Sequence, residues 1–230
     1  MTKSKIRSLS KEQLSQAIES LQIKYPLDSV PKNHNTIYKE TVDSLGGLFP
    51  EQTTINNEKR RFFFFRIRTA NSFNSYEETK DPEQYSYKPK SKCNDIGRAH
   101  LPGHPVFYGC DSYETAIREM KQPEIKKYYI ALWHTREINL ERLNFLCASP
   151  IKSQRLIQNF HDIVNDIDEQ FAGYDDFNRD RIKAHVRAWS DLFLSSNYTL
   201  SASIAHEMLY DRERKFDIIC LPTGVIIDSG

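Results

Sequence analysis

The spacing of apolar residues changes several times along the chain, and each change marks an element. Between residues 10 and 24, Leu14, Ala17, Ile18 and Leu21 fall on one helical face, and Ser10 with Gln13 has the form of a capping box. This predicts an amphipathic N-terminal helix that packs against the main domain. The stretch 26–60, with its prolines, asparagines and the Gly46-Gly47 pair, reads as irregular. RFFFFRIR at 61–68 is aromatic and strand-like, and the core domain is expected to start there. From Thr69 to Asp95 charge, tyrosine and proline alternate without a period, which predicts a long loop placed to act as a lid.

Further on, Pro102-Gly103 signals a turn and Pro105 to Tyr108 an apolar run of strand length ending at Tyr108. Asp111 with Glu114 has the form of a second capping box, which places Glu119 about two turns into the following helix. KYYIALWH at 127–134 has strand composition. Leu156, Ile157, Phe160, Ile163, Val164, Ile167 and Phe171 recur at helical spacing, as do Ile182, Val186, Trp189 and Phe193 in a helix expected at 177–195. Ser201 reads as the N-cap of a last helix ending in DRERK, before strands around Ile218 and Val225. The sum is an α+β protein: a helical extension over 1–60, then one compact domain over 61–230 with a small mixed or antiparallel sheet flanked by helices.

Composition narrows the function classes. The 32 Lys and Arg against 31 Asp and Glu give no global electrostatic reason for nucleic acid or an anionic membrane as partner. Lys88-Pro89-Lys90 and Arg212 to Lys215 are short basic runs of the kind found on solvated faces, and no Gly-rich phosphate loop is present. Cys93, Cys110, Cys147 and Cys220 contain no CxxC pair, which suits a reducing cytosol. Cys93, His100, His104 and Cys110 bring thiols and imidazoles into one segment, but their spacing matches no zinc finger, and no metal is expected. The N-terminal sequence lacks the apolar run of a signal peptide, and no 18-residue apolar stretch occurs, so a cytoplasmic protein is expected.

The richest chemistry lies between Gly97 and Glu119, where an arginine, a tyrosine and a glutamate surround one strand-to-helix turn. Arg98 follows a glycine at a bend, where its guanidinium can grip a phosphate bidentately or serve a structural ion pair. Tyr108 offers a ring for stacking, or simple core packing. Glu119 is a carboxylate on a helix, free for chemistry or paired with a nearby cation. Arg66 and Arg68 stand two apart in one strand and point to the same face. Ser201, with Ser203 as a substitute, offers a hydroxyl beside helix N–H groups, or an ordinary cap.

These positions resemble the RES domain, a family of bacterial toxins. Its early arginine corresponds to Arg66 or Arg68, its GR pair to Gly97-Arg98, its asparagine to His100, its tyrosine to Tyr108, and its TA followed by E to Thr115-Ala116 and Glu119. Tyr198 to Ser201 followed by Ile204-Ala205 resembles the family's Y-x-x-S before a short helix, and Phe216 to Ile219 its late strand, so the likeness spans roughly 60–228. His100 is the departure: imidazole replaces one amide hydrogen bond but not both.

The resemblance implies a fold similar to ADP-ribosyltransferase toxins and cleavage of NAD at the nicotinamide–ribose bond, by hydrolysis or phosphorolysis, depleting the cofactor and arresting growth. Glu119, Arg98 and Tyr108 would then be catalytic, with Arg66, Arg68, Arg98, Tyr108 and Ser201 binding NAD. NAD is substrate here, and no prosthetic group is expected. The implied partner is a separate Xre-family antitoxin, with a homodimer as a further option, and neither a membrane nor nucleic acid is bound directly. Two alternatives stay open: an ADP-ribosyltransferase modifying a host protein, and a non-catalytic interaction module, against which the joint presence of Arg98, Tyr108 and Glu119 argues.

Overall fold

A computed structural model describes residues 9–27, 30, 31, 33–47, 59, 60, 63–110, 112–120, 127–134, 138, 139, 143–145, 173, 175–210, 218–221 and 224–228. Two helices open the chain, α1 (Lys11–Lys24) and α2 (His34–Ser44). In α1 the Ser10 hydroxyl accepts from the Gln13 N–H while the Gln13 side chain accepts from the Ser10 N–H, so the predicted capping box is present and Leu14 and Leu21 are buried. Helix α2 falls in the stretch read as irregular. Asn33 caps it by accepting from the Thr36 N–H, Ile37, Tyr38 and Thr41 face inward, and Gly46 and Gly47 end it with φ of 85° and 74°.

The strands are β1 (Lys59–Arg60), β2 (Phe63–Thr69), β3 (Val106–Gly109), β4 (Tyr128–His134), β5 (Ile138–Asn139), β6 (Leu143–Phe145), β7 (Ile218–Leu221) and β8 (Gly224–Asp228). Four form one sheet in the order β3-β8-β7-β6, with β6 and β7 parallel and the other pairs antiparallel. A separate antiparallel ribbon pairs β2 with β4, and a short one pairs β1 with β5. The β2–β4 ribbon joins the sheet at one bridge, where the Phe65 N–H donates to the Cys110 carbonyl at 2.7 Å and the Cys110 N–H to the Phe65 carbonyl at 2.9 Å. Mixed sheet and flanking helices make the α+β architecture that the sequence predicts.

Helices α4 (Asp176–Leu194) and α5 (Tyr198–Tyr210) fill the middle. Helix α1 packs on α4, α2 on α5, α4 on α5, and α5 on β8. Val186, Trp189 and Phe193 of α4 are buried as their spacing predicts, while Ile182 is only half-buried. Trp189 has no exposed surface and lies in one core with Leu14, Leu21, Ile37, Leu192, Leu200, Ile204 and Ile219, so both N-terminal helices and the sheet share it. The predicted helix at 153–171 and the DRERK end of the last helix lie outside the described residues.

Helix α5 corrects the reading of Ser201. The helix starts at Tyr198, four residues earlier than an N-cap at Ser201 would place it, and Asn197 caps it by accepting from the Leu200 N–H at 3.3 Å. Asn197 also donates to the Tyr25 carbonyl at 2.8 Å, which ties the end of α1 to the start of α5. Ser201 is therefore inside the helix and buried, with its hydroxyl 3.5 Å from the Asn197 carbonyl and its N–H on that same carbonyl. Ser203 likewise donates to the Thr199 carbonyl at 2.7 Å.

The predicted long loop is tied down by short 3-10 turns at Ala70–Ser72, Glu78–Lys80, Pro82–Tyr85 and Lys90–Lys92. Tyr85 is buried and donates to the Thr79 carbonyl at 2.8 Å, while Phe73 packs against Tyr85 and Tyr129. These anchors tie the segment to the β2–β4 ribbon in the place where a lid was expected.

Candidate functional site

The site is built on β3, the turn before it and α3 (Tyr113–Glu119) after it. The cap of α3 is Ser112, whose hydroxyl accepts from the Thr115 N–H at 3.1 Å, one residue beyond the Asp111 predicted; Asp111 itself lies outside the described residues. Glu119 is the last residue of the helix, two turns from its start, as the spacing requires.

There Glu119 meets Arg98: Nη1 and Oε2 stand 3.8 Å apart. That separation is too long for a hydrogen bond, so the pair attract one another while their donors and acceptors stay available. Neither side chain is bonded to any other described residue. Arg98 is mostly buried, with 17% of its side chain exposed, and Glu119 keeps 32%, which leaves the carboxylate open to a ligand from solvent.

The loop carrying Arg98 is fixed from behind by Tyr108. Its hydroxyl accepts from the Ala99 N–H at 2.6 Å and lies 3.2 Å from His100 Nδ1. After taking the Ala99 N–H the hydroxyl keeps its proton and a second lone pair, so it can meet either tautomer of the imidazole. Burial pushes the phenol's pKa well above its ordinary value, partly offset by the Ala99 N–H, so Tyr108 stays a neutral phenol. Burial, with Lys88 adding to it, lowers that of His100, which favours the neutral ring. Gly97 makes room for it: a Cβ there would lie 2.1 Å from His100 Cε1, and Gly97 and His100 pair across the bend. The histidine at the usual asparagine position thus holds the loop by its contact with Tyr108.

The two strand arginines share a face but have different surroundings. Arg68 donates through Nη1 to the Gln84 carbonyl at 2.7 Å and lies over the Phe73 ring, clamping the loop to β2. Arg66 lies 5.4 Å from the centre of the Phe107 ring, and its buried Nη1 finds no hydrogen-bond partner among the described residues. Burial first, and Arg68 second, lower its pKa to about 10, while Tyr108 acts to hold it up. It remains a cation at neutral pH, available to an anionic group.

Sequence reading missed two features. Trp133 on β4 also buries an unpartnered indole N–H, and its ring lies 5.9 Å from that of Phe107. Strand alternation places it on the inward face, but nothing in the sequence marks the N–H as unsatisfied. His34, His104 and His206 form the second feature, with ring centres 4.3 Å apart for the first and third and 4.5 Å for the last two. The four residues weighed as zinc ligands do not act together: Cys93 Sγ contacts the Leu101 carbonyl, His100 turns to Tyr108 and His104 to His206.

Fold and site together define an α+β domain whose strand–turn–helix unit presents an arginine–carboxylate pair, backed by a tyrosine that locks the arginine's loop. The RES domain pattern matches residues 64–223, and the chain belongs to that family. No curated protein and no solved structure matches it. Among the described residues no helix is long and apolar enough to cross a membrane.

Proposed function

We propose that the protein is a RES-type toxin that cleaves NAD at the nicotinamide–ribose bond. The observation that carries this reading is the Arg98–Glu119 pair, held at 3.8 Å with neither group hydrogen-bonded to the other. A dinucleotide substrate needs both halves: a cation for phosphate oxygens and a carboxylate for the ribose being attacked.

In this reading the C1′–N bond breaks with its electron pair going to the nicotinamide nitrogen, which changes a cationic ring into a neutral leaving group. No general acid is needed. The ribose passes through an oxocarbenium-like state, as in glycoside cleavage, and a single carboxylate stabilises it. Glu119 supplies that negative charge and accepts a ribose hydroxyl, an effect worth ~3 kcal/mol for a well-placed group. Oxygen of water or phosphate then bonds to C1′, with water losing a proton to solvent. Arg98 and Arg66 are the phosphate-binding cations, and Tyr108 positions Arg98. An Xre-family antitoxin covering this site and a cytoplasmic setting complete the proposal.

Mass spectrometry of NAD incubated with the purified protein, with and without phosphate and beside Glu119→Ala, tests the reading. Nicotinamide with ADP-ribose is the hydrolytic outcome, and a phosphorylated ADP-ribose found only with phosphate is the phosphorolytic one. Intact NAD in every reaction would remove the reading and turn attention to a protein acceptor.

A further inference from the structure

Arg66 and Trp133 are diagonal neighbours across the β2–β4 ribbon. In the ladder Phe64 faces Trp133 and Arg66 faces Ala131, so both side chains rise from the same face two residues apart. Phe107 of β3 packs against all three: its ring centre is 6.3 Å from Phe64, 5.9 Å from Trp133 and 5.4 Å from the Arg66 guanidinium carbon. Around that ring two donors, Arg66 Nη1 and Trp133 Nε1, are buried and find no acceptor among the described residues.

One buried donor without a partner is uncommon, and two around one ring, one of them cationic, is a costly arrangement for a folded protein to keep. Each donor lacks the same thing, a hydrogen-bond acceptor, and the guanidinium also lacks a negative charge. A phosphate group supplies what both need, since its oxygens accept several hydrogen bonds and carry negative charge, while Arg and indole N–H groups are pure donors.

We infer that Trp133 is a ligand-binding residue: its indole N–H and Arg66 Nη1 form a two-donor cradle for a phosphate oxygen of the substrate. Tryptophan here serves as a neutral donor on a rigid ring. The arrangement reads the ligand by geometry as well as charge, because an indole N–H has one direction and no flexible arm. The identity of the ligand as NAD rests on the function proposed above; the cradle itself does not.

The chain has only two tryptophans, Trp133 and the core residue Trp189, so its ¹⁵N-labelled indole region should show two cross-peaks. Trp133 is assigned by its absence from Trp133→Phe or, should that variant not fold, by its proximity to Phe107. Pyrophosphate, ADP-ribose and NAD are then titrated into wild type. The cradle predicts a downfield shift of the Trp133 indole proton with each, a stationary Trp189 peak, and NAD affinity about five- to tenfold weaker in Trp133→Phe, the size of one lost hydrogen bond. An unmoved Trp133 peak with all three ligands overturns the inference, as does a folded Trp133→Phe that binds NAD or pyrophosphate like wild type. A shift with pyrophosphate in a protein that leaves NAD intact would keep the cradle and sink the NAD-cleaving reading.

Discussion

The Tyr108 hydroxyl receives the Ala99 N–H at 2.6 Å, immediately beside Arg98, so a residue of β3 sets the position of the loop one peptide away from the guanidinium's own residue. The loop is held by a neutral phenol, and the charged pair in front of it is left with open valences. Under the proposed function, chemistry and stability fall to different residues, and mutation can separate them.

Glu119→Ala should lower NAD turnover about 100- to 1,000-fold, the size of a lost transition-state charge contact. The fold should lose less than about 1 kcal/mol, because a half-open ion pair at 3.8 Å contributes little. Nicotinamide release and a thermal melt on the same preparation check both halves; a well-folded variant with undiminished turnover would take Glu119 out of the mechanism.

The strand arginines should behave oppositely. Arg68→Ala removes the bond to the Gln84 carbonyl and should cost about 1.5 kcal/mol of stability, by loosening the loop wall. Arg66→Met removes a buried cation whose Nη1 finds no partner among the described residues, so its melting temperature should hold or rise while NAD affinity falls. Urea melts and calorimetric titration with NAD distinguish the two; equal loss of stability in both would show that Arg66 is structural too.

Gly97→Ala should push the His100 ring off Tyr108, since the new methyl would sit 2.1 Å from Cε1. Overpacking of this kind costs about 1–3 kcal/mol. Turnover should fall with it, because Arg98 rides on the same bend. A variant with wild-type melt and turnover would mean the bend adapts freely.

The three-histidine junction should make stability depend on acidity. His34 of α2 pairs with buried Glu207 at 3.2 Å, His104 comes from the turn before β3 with Lys90 near it, and His206 of α5 lies against both rings and stacks on Tyr210. Burial, then His34 and His104, lower the pKa of His206 to about 4, against about 6.5 in an unfolded chain. The unfolded state therefore binds the extra proton first. The contribution is fully present above about pH 6.5 and is lost as pH falls towards 4. Urea melts at several pH values should show that decline, and His206→Phe should flatten it; parallel curves would remove His206 as the cause.

Local rules made much of this legible. The Ser10–Gln13 box, the short strand through Tyr108 and the two helical turns up to Glu119 are each set within a few residues. Helix α2 escaped because its inward face is Ile37, Tyr38 and Thr41, too polar for an apolar stripe, and its cap is an asparagine among other turn formers. Ser201 misled because Asn197, four residues earlier, caps the same helix and also reaches back to Tyr25. The unsatisfied donors on Arg66 and Trp133 and the meeting of His34, His104 and His206 depend on tertiary placement, which no local period encodes.

Leu14, Leu21, Ile37, Tyr38 and Leu45 are packed into the cluster that holds Trp189 and Phe193, although all five precede the segment that carries the family pattern. Trimming the chain to its recognisable part would strip one wall from that cluster and leave a sticky, half-built globule. The stretch by which this chain is recognised is thus shorter than the stretch it needs to fold, and any expression plasmid for this protein should begin ahead of Ser10.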